Sequence, residues 1–402
     1  MIRQWDAAQA RVRAVQRFLC LSCGKSFTAR AGERHRTYST AFMREVARRH
    51  IEGESYRVIA HEVYRRTGRK ISPTSLEQMV SAVALRAKTA REMSLELTPH
   101  WSGFLVVDEK RIPVKGSPLW CYVAVDTTGD IVHWCPVAEC SVTEAIRFLE
   151  EVKDLRYGCH GITSDLDRAL TLAVGWVYGK TPHQYCVKHA LGVVEKLLGY
   201  RTSRQQRQRR ATQMRTRFER LPLKKGLFLV KAAGAFLDEW RTTRTASKKA
   251  CEIAALREHA RRILCARSQA QALDLLASLR RRHSSERARK WKVVNFLERH
   301  WVHLMRHHRV HGLPRTSNMA ETFNRQLKRR IKTIESFQHR HTAICYMNLL
   351  VAYLRLKPYT DCRGRRKHLN GKSRLQAAGI TIAPHDWLEA CLKNGAVSAT
   401  VN

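Results

Sequence analysis

The chain has 402 residues, 44% of them hydrophobic and 27% charged. That length buries two or three cores without help from disulfides, and the composition excludes a disordered, collagenous or low-complexity chain. The charge is lopsided: 74 Lys and Arg against 34 Asp and Glu leave a formal +40. An excess of that size repels itself unless it meets a polyanion. Nucleic acid is the expected partner, since neutralised phosphates release condensed counterions; an anionic membrane surface is the competing reading.

No membrane span is legible. The best apolar run, Ala343 to Leu354, is interrupted by Asn348 and stops at Arg355, short of the roughly 18 residues a span needs. Met1 to Asp6 lacks the apolar core of a signal peptide. The 12 cysteines are scattered, which predicts a reducing, intracellular compartment. Most of them (Cys121, Cys135, Cys140, Cys159, Cys251, Cys265, Cys345, Cys391) read as buried thiols packed as small hydrophobes.

Residues 1–36 contain Cys20-Leu21-Ser22-Cys23-Gly24, one half of a zinc ribbon. Two cysteines at this spacing place both thiolates on one ion, but a closed structural site needs four ligands. His35 and His50 stand at unusual spacing. Cys20 and Cys23 are therefore candidate Zn2+ ligands, with a small unmetallated hairpin as the alternative.

Residues 37–92 read as three helices. Phe42, Val46 and Ile51 recur at helical spacing and end at Gly53. Ser55 caps a second helix, Tyr56 to Arg66, which Thr67-Gly68 closes. Ser72-Pro73 opens a third with Leu76, Met79, Val80 and Val83 on one face. This pattern fits a helix-turn-helix unit whose last helix presents Thr74, Ser75, Glu77 and Gln78 to a major groove. A generic three-helix packing unit is the bland reading.

Residues 100–190 alternate strand and helix. Gly103 to Val107 is an apolar strand expected to end in Asp108. Trp120 to Asp126 and Ile131 to Val137 flank the turn Thr127 to Asp130. Thr143 to Leu155 is an amphipathic helix, His160 to Ser164 a strand ending in Asp165, and Pro182 to Cys186 another. Three antiparallel strands, a helix and further strand–helix units form the order of a ribonuclease-H-like α/β core, although several folds share it. Residues 191–312 lose the strand signal and read as a basic helical insertion. Arg201 to Ala250 alone holds 15 Lys or Arg against Glu219, Asp238 and Glu239, which suits a phosphate track. Trp291 and Trp301 in this insertion read as helix-core residues in preference to base-stacking platforms. Residues 313–356 close the core with a helix carrying Glu321, and 357–402 form a basic C-terminal tail.

Asp108, Asp165 and Glu321 are the candidate catalytic and metal-binding residues. Strand ends bring side chains to the edge of a sheet, and a later helix can add the third acid. On that helix Asn318, Glu321, Arg325 and Lys328 recur at helical spacing. In-line phosphodiester chemistry uses two divalent ions to stabilise the attacking and leaving oxygens, and Mg2+ prefers carboxylates and water. Asp167 rivals Asp165, which directly follows its strand; Glu109 and Glu335 are weaker rivals.

The spread-out Asp108, Asp165 and Glu321 resemble the DDE triad of transposases. Cys186-Val187-Lys188-His189 is similar to the CxxH signature of the Mutator-type transposases and their bacterial insertion-sequence relatives. The helix from Asn318 to Arg330, the 156 positions between Asp165 and Glu321, and the segment Asn370 to Ile380 extend the likeness over roughly Gly103 to Ile380. The half ribbon departs from it. The resemblance implies a DNA transposase that cuts the ends of its element and transfers 3′-OH ends to target DNA, using Mg2+ or Mn2+ at the triad. It also implies double-stranded DNA partners (terminal inverted repeats and target), a homo-oligomer of at least two chains, and a cytoplasmic, nucleoid-associated place in a prokaryote. No membrane and no small-molecule substrate are expected. Cys186, His189, Asn318, Arg325 and Lys328 are expected to bind or position DNA near the site; for Cys186 and His189 a zinc half-site is the less favoured alternative, since no second ligand pair is near in the sequence. A non-catalytic DNA-binding derivative of a transposase and a stand-alone metal-dependent nuclease are the alternatives.

Overall fold

A computed structural model of the chain describes residues 38–201, 248–334, 336–382 and 386–393, isolated helical positions at 205, 208 and 212, and a few short strands. Those strands are β1 (Ile2–Gln4), β2 (Arg13–Val15), β3 (Arg17–Leu19), β4 (Ser26–Thr28) and the terminal Ala399–Val401. Cys20, Cys23, His35, Glu335 and most of Arg201 to Ala250 lie outside the described residues, and so does the zinc expectation.

Serine hydroxyls start the first three helices. Ser39, Ser55 and Ser72 accept the N–H groups of Phe42, Val58 and Ser75 at the heads of α1 (Thr40–Glu52), α2 (Tyr56–Thr67) and α3 (Pro73–Ala84). Gly53 and Gly68 end α1 and α2 at positive φ, where a side chain strains the backbone. Val46, Ile51, Ile59, Val63, Leu76 and Val80 bury the shared face. That face continues into the helix Arg340–Leu356 and one side of the sheet as a single apolar cluster. A capping box between Thr89 and Glu92 opens α4 (Ala90–Leu97), which leads into the sheet.

The sheet is mixed and five-stranded. β5 (Phe104–Ile112), β6 (Leu119–Asp126) and β7 (Ile131–Val137) pair antiparallel; β8 (Gly161–Ser164) and β9 (His183–Tyr185) add in parallel, giving the order β7-β6-β5-β8-β9. Alternation along β5 sends Leu105 and Val107 toward α5 (Val142–Asp154) and α6 (Arg168–Val177). Val106 and Ile112 face the helix Asn318–Ile334, whose Ala320, Phe323 and Leu327 are buried with them. β5 does not stop at Asp108, as its apolar run suggested. Glu109, Lys110, Arg111 and Ile112 continue it by pairing with Tyr122, Cys121, Trp120 and Leu119. Hairpin pairing, which is indifferent to side-chain polarity, sets the strand's length.

A second apolar cluster joins α7 (Val187–Leu198) to the helix over 248–264 and to Gln269–Arg281, Arg287–Arg299 and Trp301–Leu304. Trp301 packs against this cluster, whereas Trp291 is 38% exposed beneath the Lys290 ammonium. Cys251 is exposed and Cys140, Cys159 and Cys265 are half-buried, so the uniform burial expected of the thiols does not hold. Toward the C-terminus, Arg374 is buried and donates to the Gly129 carbonyl and to Gln326, and Leu388 and Cys391 enter the first cluster. No helix among the described residues is long and apolar enough to cross a membrane.

Candidate active site

Strand register builds the site. Val106 pairs with Thr163, and Thr163 pairs with Gln184. Asp108, Asp165 and Cys186 each stand two residues beyond that row. They are therefore level with one another across three neighbouring parallel strands, on the side that the Asn318–Ile334 helix covers.

Hydrogen bonds from Thr163, Val187 and Ser317 fix the start of that helix against the strand ends. Thr163 Oγ1 donates to the Pro314 carbonyl at 2.6 Å, and the Val187 N–H to the Arg315 carbonyl at 3.0 Å. The Ser317 N–H and Oγ both donate to the Cys186 sulfur at 3.3 Å, and Ser317 Oγ lies 3.5 Å from His189 Nδ1. Ser317 thus spends its hydroxyl on a neighbouring strand end and not on its own helix. Glu321 follows one turn later.

Asp108 is 9% exposed. Its Oδ2 accepts Asn324 Nδ2 at 2.8 Å, and its Oδ1 accepts the Glu109 N–H at 3.0 Å. Burial, reinforced by the Asp165 charge, pushes its carboxyl up to about 6. Burial also raises Asp165, whose Oδ1 accepts the Asp167 N–H. The Asp167 side chain is used elsewhere, because its Oδ1 caps α6 by accepting the N–H groups of Ala169 and Leu170. Glu109 is pushed up to about 7 by burial and by Asp165, Asp167 and Asp108, and its buried Oε2 has no hydrogen-bond partner.

Glu321 faces the other half of the site. Its Oε2 pairs with the Lys188 ammonium, while its Oε1 is buried and unpartnered. The ligand atoms of Cys186, His189 and Glu321 all lie within 4.8 Å of one another; Asp108, Asp165 and Glu321 form no such group. Burial alone would raise the Cys186 thiol, but hydrogen bonds from His189 and Ser317 outweigh it and the net direction is down. The Cys186 sulfur, with the charges of Asp165 and Asp108 behind it, lifts His189 to about 9. At neutral pH the pair is a cationic imidazole beside a sulfur that accepts hydrogen bonds. Asp165, Asp167, Lys188 and His189 open onto a cleft of about 950 Å3 that Lys196 and Arg257 also line.

Of the residues singled out from sequence, Asp108 meets Asp165, and Cys186 and His189 meet Glu321. Asn318, Arg325 and Lys328 are exposed on the outer face of their helix. Asn324, Ser317 and Lys188 were missed. Asn324 carried a readable signal: a polar residue interrupting the buried stripe Ala320, Phe323, Leu327 and Ile331.

No protein-family model matches the chain, and no curated protein matches it either.

Proposed function

We propose that the chain is a DNA transposase with a ribonuclease-H-like core, acting on terminal inverted repeats and target DNA. The observation that carries this reading is a pair of carboxylates, buried Asp108 on β5 and half-buried Asp165 just past the end of the parallel β8, level with each other in a chain of charge +40. Strand order supports it: three antiparallel strands extended by two parallel ones, with a helix bearing Glu321 across the strand ends.

Asp108 and Asp165 fit a hard cation such as Mg2+ or Mn2+. Both offer carboxylate oxygens, and the repulsion between them is what a cation relieves. Glu321 does not stand in one group with the two aspartates, so as third donor its side chain would have to turn toward them; its buried Oε1 has no partner to hold it back, while Lys188 holds its other oxygen. A divalent pair, when bound, supplies charge stabilisation to the attacking and leaving oxygens of an in-line displacement. The protein's own residues do the rest. Asn324 holds the orientation of Asp108. Lys188 and the cationic His189 line the cleft and attract a phosphodiester to the carboxylates. Exposed Thr74 and Gln78 at the head of α3 suit base contacts, and exposed Arg57, Arg65 and Arg66 on α2 suit phosphates. Joining two DNA ends in one event calls for at least a dimer, working beside the nucleoid of a prokaryotic cell.

The test is metal-dependent nicking of a duplex bearing the repeats that flank the gene. Asp108→Asn and Asp165→Asn should each lose cleavage by orders of magnitude and keep duplex binding. Asp167→Asn should retain cleavage, since its side chain caps a helix. Cleavage by Asp165→Asn at the parent rate would refute the assignment.

A further inference from the structure

We propose that Cys186, His189 and Glu321 form a binding site for a zinc-type divalent ion, separate from the hard-cation site at the two aspartates. The donor set is one sulfur, one imidazole nitrogen and one carboxylate oxygen, all within 4.8 Å of one another; the ion takes the place of the protons on His189 and Cys186, which leave to solvent. Zinc takes such ligands at ~2.0–2.3 Å, which spaces tetrahedral donors about 3.3–3.8 Å apart, so side-chain rotations close the set. Cys186 leads into α7 and His189 lies in its first turn, so the C-x-x-H spacing puts both on one side of the helix start.

Two further observations point to a ligand. Glu321 Oε1 is buried without a partner, and an orphaned carboxylate oxygen is costly to keep. The Cys186 sulfur already accepts two hydrogen bonds from Ser317, the support that a metal-bound thiolate receives from its surroundings. The Lys188 ammonium stands beside Glu321 as the cation now present. Three protein donors leave a fourth position, and His189 borders the cleft through which water or a ligand reaches it.

In the other comparable group, His133, Cys135 and Glu151, the acid is already engaged, although His133 Nδ1 is buried without a partner. His133 Nε2 lies 2.7 Å from Glu151 Oε2, and Arg147 also reaches Glu151. It serves as the control.

The site has a consequence that rests on the transposase reading. Glu321 belongs to both donor sets, so an ion held by Cys186 and His189 withdraws the third carboxylate from the aspartate pair. Zinc-type ions then oppose Mg2+-dependent cleavage.

The experiment is cobalt titration of the reduced full-length chain in a Cys20→Ser/Cys23→Ser background, which removes the other paired thiolates. One equivalent of Co2+ should give a sulfur-to-cobalt charge-transfer band with tetrahedral visible bands. Zn2+ should displace it and excess Mg2+ should not. Cys186→Ser should abolish the charge-transfer band, and His189→Ala and Glu321→Gln should weaken binding about tenfold or more. A band that survives Cys186→Ser, a band lost in Cys135→Ser, or no band in the parent overturns the proposal. Should Cys186→Ser fail to fold, Glu321→Gln decides, and unchanged cobalt affinity there is equally fatal. Cobalt binding in a chain that never cleaves repeat DNA sinks the transposase reading and leaves the site standing. Cleavage without the cobalt band does the reverse.

Discussion

Replacing Arg355 with Met should destabilise the fold by about 3–5 kcal/mol, the cost of stranding a buried charge. Arg355 and Asp130 are both fully buried. The guanidinium gives Nε to Asp130 Oδ1 at 2.9 Å and Nη2 to Oδ2 at 2.7 Å. Nη1 goes to the Ala90 carbonyl at 2.9 Å and to Ser94 Oγ at 3.1 Å. One side chain on the Arg340–Leu356 helix thus ties α4 to the turn between β6 and β7. Methionine fills most of the volume, so the loss is electrostatic. Trp101 Nε1 still donates to Asp130 Oδ2, but the cation left nearby, Arg374, is bonded to the Gly129 carbonyl and Gln326 and makes no ion pair with Asp130. With a urea slope of roughly 2–3 kcal/mol/M, the midpoint should fall by about 1–2 M. The assay is urea unfolding followed by tryptophan fluorescence, to which Trp101 contributes. Asp130→Asn combined with Arg355→Met should cost less than the sum of the singles by roughly 1–3 kcal/mol, because the second change removes the stranded charge. A loss under about 1 kcal/mol in Arg355→Met, or strict additivity in the double variant, would refute the reasoning.

Two more outcomes follow from buried groups. Asn324→Leu deprives Asp108 of its side-chain donor and should cost ~1.5–3 kcal/mol at pH 7; the cost should shrink near pH 5, where Asp108 is protonated, and equal losses at both pH values in metal-free urea titrations would show that Asn324 does not support the carboxylate. Burial, with His303 adding repulsion, holds His183 down to about 3, so the unfolded chain takes up this proton first; stability is intact above about pH 6.5 and falls as pH drops toward 3, by ~2–3 kcal/mol at pH 4.5 for this one group. His183→Gln should flatten that acid limb, and an unchanged slope would contradict the assignment.

Local signals were the most legible part of the sequence. The three serine caps, the two glycine stops and the turn at Thr127 to Asp130 act within a few residues, so their chemistry is complete in the local stretch. The length of β5 was not legible, because it depends on β6 across the hairpin. Asp108 and Asp165 were readable as acids beside apolar strands. Their being level required knowing that β8 pairs with β5 in one register, and no local pattern encodes that.

The split of the acids into two neighbourhoods follows from the same cause. Glu321 is reached only after a helical excursion, and its position depends on Pro314, Arg315 and Ser317 being lashed to the ends of β8 and β9. Helical spacing grouped it with Asn318, Arg325 and Lys328, which are exposed where Glu321 is half-buried. The residue that touches Asp108 is Asn324, one step round on the buried stripe. A polar residue inside an apolar stripe has to find a buried partner or carry the full desolvation cost. In this sheet the partner at that level is a strand carboxylate. The amide therefore marks the inner wall of the site, and the charged residues beside it mark the rim where a phosphate backbone would first be met.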